Sequence, residues 1–151
     1  MKKVCTLALA LIYLLCLGGA TYQYTGAETE LIALINNERD TNGLPSLTIN
    51  WEVARLAHYK SEEMIKHQLF CHESLVYGNP AQILDRFHIQ HNMVGANIAM
   101  GYNTPQEVMA SWLGSPGHHA NLVNPNFTSI GVGLSLDKDG IPYWTIILIA
   151  E

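Results

Sequence analysis

The sequence is poor in cysteine, in basic residues and in long apolar runs. Among 151 residues it has three cysteines, and eight lysines and arginines stand against thirteen acids, for a formal charge of −5. So few cysteines exclude a fold held together by a disulfide framework. Lysine and arginine form no cluster, which argues against a nucleic-acid partner because phosphate binding requires one. The length suits one domain with its own core.

Three common catalytic signatures are also missing. The sequence contains no His-Glu-x-x-His zinc-protease motif, no phosphate-binding glycine loop and no Gly-x-Ser-x-Gly nucleophile elbow. The chemistry that each of these motifs supports is therefore not indicated here.

The one long apolar run, at residues 4–17, has the features of a secretory signal peptide. Lys2 and Lys3 precede the run, and Gly18-Gly19-Ala20 follows it. A membrane-spanning helix needs about 20 apolar residues, so this run is short for a stable anchor. We predict a signal peptide at residues 1–20, a short lead-in at 21–27 and secretion to the extracellular space, with no stable membrane anchor after cleavage. An uncleaved N-terminal anchor is the alternative.

Cleavage near Ala20 would change the cysteine count and the charge. Cys5 and Cys16 would leave with the signal peptide, so that only Cys71 remains. Loss of the two lysines would take the formal charge from −5 to −7. The mature protein is therefore predicted to be acidic and free of intramolecular disulfides.

Hydrophobic periodicity predicts a single α/β unit. Helices are predicted at residues 28–42, 51–68, 80–87 and 104–113, and strands at 97–102, 130–136 and 143–149. The last strand is apolar on both faces, which predicts a central position with helices on each side. On the second helix, Trp51 is expected on the buried face and Glu63 on the solvated face. The expected fold is a small antiparallel sheet sandwiched between helices.

Five short segments occur in a distinctive order and spacing. They are Leu34-Ile35-Asn36-Asn37-Glu38-Arg39 with Gly43-Leu44-Pro45, Leu56-Ala57, Phe70-Cys71-His72-Glu73-Ser74 before Tyr77-Gly78, Gly95-Ala96-Asn97-Ile98-Ala99, and Ser115-Pro116-Gly117-His118-His119-Ala120-Asn121. Together they resemble the CAP superfamily (cysteine-rich secretory proteins, antigen 5, pathogenesis-related 1) in its short bacterial SCP-like form. The resemblance implies a three-layer α-β-α sandwich with a small central antiparallel sheet, in a CAP domain at residues 28–151.

The resemblance also implies a cleft lined by histidines and acidic residues, where some family members bind a divalent metal. Carried over by position, the cleft residues are His72, Glu73, Ala96, Asn97, Ser115, His118 and Asn121. His72 and His118 are the cleft imidazoles and are expected to face each other. Two neutral imidazoles suit zinc or a similar metal.

One cleft position departs from the family pattern. The glutamate expected after Gly95 is Ala96, whose methyl group can neither bind a cation nor transfer a proton. We therefore expect no resident cofactor and no catalytic residue. The alternative is a divalent metal such as zinc on His72 and His118, with His119 as a third ligand.

Cys71 raises a second alternative, because a thiol beside an imidazole can act as a nucleophile. The competing interpretation is a small buried side chain at a position where relatives carry serine.

Three functions follow from these features. The first is a secreted, non-catalytic CAP module that binds a small ligand, a wall component or another protein. The second is a metal-assisted hydrolase that uses His72 and His118, with Glu73 or Glu107 as base. The third is a structural interaction protein of an envelope or spore layer. The fold alone does not choose among them.

Overall fold

The computed structural model describes residues 22–151. The predicted signal peptide and its cleavage site lie outside the described residues. The helices are α1 (Gly26–Thr41), α2 (Trp51–His67), α3 (Pro80–Arg86), α4 (Pro105–Leu113) and α5 (Pro116–Leu122). The strands are β1 (Thr48–Ile49), β2 (Met93–Met100), β3 (Ser129–Leu136) and β4 (Pro142–Ala150). Among these residues, no helix is both long enough and apolar enough to cross a membrane.

Side-chain caps explain where several helices begin. Asn50 accepts hydrogen bonds from the backbone N–H groups of the first turn of α2. Asn79 and Thr104 each form a capping box and are followed by proline at the first helical position. Thr25 and Glu28 also form a capping box, so α1 begins at Gly26, two residues before the predicted start. The predicted starts of α2 and α4 agree with this pattern of polar caps.

The four strands form one mixed sheet in the order β1-β3-β4-β2. β4 pairs antiparallel with both β2 and β3, whereas the two-residue β1 pairs parallel with β3. The predicted α/β sandwich is confirmed, and the short parallel strand makes its sheet mixed rather than wholly antiparallel. β2 covers Met93–Met100, so the prediction of residues 97–102 was wrong at both ends.

Two apolar cores lie on opposite sides of the sheet, and β4 supplies both. Trp144, Ile146 and Leu148 face the core formed with α1, α4 and α5. Ile147 and Ile149 face the core formed with α2 and α3. The alternation of a strand sends successive side chains to opposite faces. The prediction of a central strand covered on both sides is confirmed.

Two glycines let α2 lie directly against β3. A Cβ atom at Gly131 would collide with the backbone of Ala54, and one at Gly133 would collide with that of His58.

Two predictions for α2 were wrong. Trp51 is 49% exposed and packs against Tyr24 rather than in a core. Glu63 is buried, and it pairs with Lys60 below the loop that carries His72.

Candidate functional site

His118 is held in place through the backbone of α5. Its carbonyl accepts a hydrogen bond of 3.0 Å from Nδ2 of Asn97, a fully buried residue of β2. Asn121, one turn further along α5, donates to Oδ1 of Asn97 at 2.8 Å and to the Ala96 carbonyl at 3.3 Å. These bonds fix α5 against β2. The last helix predicted from the sequence ends at residue 113, so α5 was not predicted.

A buried ion pair holds the loop that carries His72. Lys60 and Glu63, both on α2, are each 4% exposed, and Nζ lies 3.2 Å from Oε2. Lys60 Nζ also donates to the Glu73 carbonyl at 2.6 Å, and the Ser74 hydroxyl donates to Glu63 Oε1 at 2.7 Å. The two loop residues that follow His72 are thereby attached to α2.

The structure brings together the two imidazoles that the family resemblance assigns to a cleft. The ring centroids of His72 and His118 lie 6.2 Å apart, with 34° between the ring planes. Trp112 also lies near His118, with its centroid 6.5 Å away. His72 and His118 come from separate elements, a loop and α5, so their proximity is a product of the fold.

Electrostatics favours the neutral form of His72. Partial desolvation of its ring, the neighbouring His118 and the Lys60 ammonium all lower the pKa of His72 below its usual value. Nδ1 of His118 is buried and has no hydrogen-bond partner among the described residues. A neutral imidazole keeps one nitrogen lone pair free, so in that form either ring can accept a hydrogen bond or bind a metal.

Two of the other candidate ligands and bases bind different partners, and the third, Glu73, is held through its backbone. His119 Nε2 lies 2.9 Å from Oε1 of Glu38 on α1. Glu107 accepts backbone hydrogen bonds from Asn103 and Thr104 at the start of α4. The backbone carbonyl of Glu73 accepts a hydrogen bond from Lys60, and Glu73 itself is exposed. Among residues 22–151, no three histidine, cysteine or acidic side chains are grouped so that they could hold a metal ion.

Two further residues proposed from the sequence are neighbours of this pair along the chain. Ser115 is half-buried and precedes α5, and its side chain makes no capping hydrogen bond. Cys71 is half-buried and free, and its thiol donates to the Glu73 carbonyl at 3.1 Å.

Sequence reasoning missed the residues that support the site. Glu63 was assigned to solvent because charged residues are seldom buried without a partner. Its partner Lys60 lies one helical turn earlier, and this spacing was the available signal. Ser74 accepts backbone hydrogen bonds from Val76 and Tyr77 while bonding to Glu63, and only the folded loop shows this.

The similarity to known proteins agrees with the fold and the segment order. The family model described as the cysteine-rich secretory protein family matches residues 32–148. The protein YkwD of Bacillus subtilis (strain 168) is 42% identical over 106 residues, which is 70% of this chain and 41% of YkwD. The chain thus spans less than half the length of this relative.

Solved structures share the architecture. An extracellular SCP-domain protein of Bacillus anthracis has a TM-score of 0.75 at 29% identity, over 83% of this chain and 41% of that one. An outer surface protein of Borrelia burgdorferi has a TM-score of 0.79 at 20% identity, over 86% of this chain and 96% of that one. The second likeness shows the fold alone. Because the family model covers most of its length, this chain belongs to the cysteine-rich secretory protein (CAP) family.

Proposed function

We propose that this protein is an extracellular CAP module that binds a partner through the His72–His118 cleft and does not cleave it. The partner is a wall component or another secreted protein. The observation that carries this proposal is the composition of the cleft. The His72 and His118 rings lie 6.2 Å apart, and Ala96 stands in the sequence where the family resemblance expects a cleft glutamate.

The side chains around the cleft support binding better than hydrolysis. Metal-assisted hydrolysis needs a ligand set that fixes the metal and a base that activates water. Here Glu107 serves the start of α4, and His119 pairs with Glu38. The residues present supply two nitrogen ligands and fit a closed zinc site poorly, since such sites have four ligands.

Export is the second part of the proposal. The B. anthracis protein with the same fold is described as extracellular, and the Borrelia protein as an outer surface protein. The basic pair, apolar run and small residues at positions 2–20 favour the same location for this chain.

Zinc titration by calorimetry tests the binding module against the hydrolase. We expect weak zinc binding by the wild type and tighter binding by Ala96→Glu, which supplies the missing oxygen ligand. His118→Ala is the matched control, because it removes one of the two imidazoles. Submicromolar zinc binding by the wild type that vanishes in His118→Ala would refute the proposal in favour of a metal enzyme.

Co-sedimentation with purified cell walls tests the partner directly. The wild-type protein should sediment with walls or with a wall-associated protein. His72→Ala should reduce the bound fraction, while Lys138→Ala, at an exposed turn, should leave it unchanged. Equal retention of wild type and His72→Ala would show that the cleft is not the binding site.

A further inference from the structure

The outward face of α2 carries acidic and basic residues in an order that suits antiparallel pairing. When a second copy of the helix is reversed, each acidic residue faces a basic one. Along the helix this face presents Glu52, Arg55, Tyr59, Glu62 and Lys66. Spacings of three and four residues place them in one stripe about 80° wide. The four charged residues are exposed and Tyr59 is half-buried. We call these five residues the α2 stripe.

Antiparallel pairing of two α2 stripes would join opposite charges at every charged position. When one copy is reversed, Lys66 lies opposite Glu52, Glu62 lies opposite Arg55, and Tyr59 lies opposite itself. The two charge pairings differ in register by one residue, about 1.5 Å along the axis, which these long side chains can span. A two-fold axis beside Tyr59 generates this arrangement, and two-fold dimers are the commonest soluble oligomers.

The charges of the α2 stripe are largely unused within one chain. Glu62 Oε1 lies 3.4 Å from His58 Nε2, in a contact at the surface. Among the described residues, Glu52, Arg55 and Lys66 take part in no ion pair. A partner of one charge sign would meet repulsion at half of these positions. A second copy of the same stripe meets none.

An exposed aromatic side chain and a hollow lie at opposite ends of the α2 stripe. Phe87 is 45% exposed and lies at the Arg55 end, where both residues line a small hollow. At the Lys66 end lies a larger hollow of about 290 Å³, with Tyr59 and Val76 among its walls. In the proposed dimer, the same two-fold axis would bring Phe87 of one copy toward the larger hollow of the other. A cavity of roughly 150 Å³ is enough for a benzene ring.

We propose that the α2 stripe is the interface of a symmetric homodimer. The charged pairs set its antiparallel register, and Phe87 inserts beside Val76 of the second copy. None of the cleft residues belongs to the stripe. Each dimer therefore offers two clefts.

Charge reversal at the centre of the α2 stripe tests the proposal by complementation. Arg55→Glu alone and Glu62→Arg alone each place like charges together twice per dimer. Either variant should raise the dimer dissociation constant about tenfold or more, measured by sedimentation equilibrium. An equimolar mixture of the two should recover wild-type affinity as a heterodimer, because every facing pair is then opposite again. The double variant in one chain should also dimerise.

Controls separate the interface from general charge effects and from misfolding. Lys138→Glu makes the same charge change as Arg55→Glu at the exposed turn after β3 and should leave the dissociation constant unchanged. Circular dichroism should show the same helix content in every variant, since both stripe positions are exposed. The proposal is wrong if the wild type stays monomeric up to about 1 mM, the weak end of measurable affinity. It is equally wrong if the mixture associates no better than either variant alone.

Discussion

Removing the charge of Glu63 should cost far more stability than removing that of its neighbour Glu62. Glu63 is 4% exposed and pairs with Lys60, which is also 4% exposed. Breaking a buried ion pair from one side leaves an uncompensated charge and typically costs about 3–5 kcal/mol. Lys60 would keep its bond to the Glu73 carbonyl, so we expect the lower end for Glu63→Gln, about 3 kcal/mol.

The matched comparison uses three variants in urea unfolding at neutral pH. Glu62 has 61% of its side chain exposed within one chain. Measured at concentrations where the protein is monomeric, Glu62→Gln should change the free energy of unfolding by less than about 0.5 kcal/mol. Lys60→Met with Glu63→Gln removes both charges while keeping an acceptor for the Ser74 hydroxyl. This double variant should lose only about 1 kcal/mol, because no charge is left buried alone.

The result also bears on the site. If Glu63→Gln proves as mild as Glu62→Gln, the pair is hydrated in solution and does not hold the His72 loop. If the loss is large and the double variant restores stability, NMR contacts between the His72 and His118 rings should weaken in Glu63→Gln and return in part in the double variant. Stability and ring proximity are thus predicted to change together.

Four other results are expected. Arg39→Met should lower the free energy of unfolding by about 3 kcal/mol in urea, because the buried guanidinium donates to the carbonyls of Pro45, Leu122, Asn124 and Phe127; a loss below about 1 kcal/mol would contradict this. The lowered pKa of His72 means that the unfolded chain takes up the proton first as pH falls below about 6.5, so stability should decline there. His72→Gln should flatten that decline, and an unchanged slope would refute the assignment. A reducing agent should leave the melting temperature of the exported protein unchanged, since Cys71 alone would remain, and a large shift would reveal an intermolecular disulfide. Mass spectrometry of culture supernatant should find a chain beginning near Thr21, whereas intact protein confined to the cytoplasm would exclude export.

Local sequence rules predicted the elements whose ends are set by local chemistry. Asn50, Asn79 and Thr104 cap helices through bonds to residues at most three positions away. β4 was recognised as central because a strand that is apolar on both faces must be covered on both. These signals lie within a few neighbouring residues and require no knowledge of the rest of the fold.

The elements that were missed depend on distant partners. α5 begins with Pro-Gly, which favours a turn, and its position is fixed by bonds from Asn121 to β2 and from Asn97 to α5. The first half of β2 includes Gly95 and is extended because it pairs with β4, some fifty positions later. Glu63 is buried because the Ser74 loop returns to cover it. No window of local sequence contains these contacts.

The way the sheet ends constrains how this protein recognises a partner. Beyond β1, the free edge of β3 donates from Val132 N to the Tyr24 hydroxyl oxygen and from Leu134 N to Glu28 Oε1. On the opposite edge, the Ala96 carbonyl on β2 accepts from Asn121 and the Ile98 carbonyl from Trp112.

Side chains of the same chain therefore occupy four of the backbone groups that an added strand would use, which disfavours strand addition. Strand addition would first have to break bonds made by half-buried or buried residues. The proposed binding and self-association therefore use side chains, those of the imidazole cleft and of the outward face of α2. Because the α2 stripe and the two imidazoles share no residue, Arg55→Glu should change self-association without changing binding through the cleft.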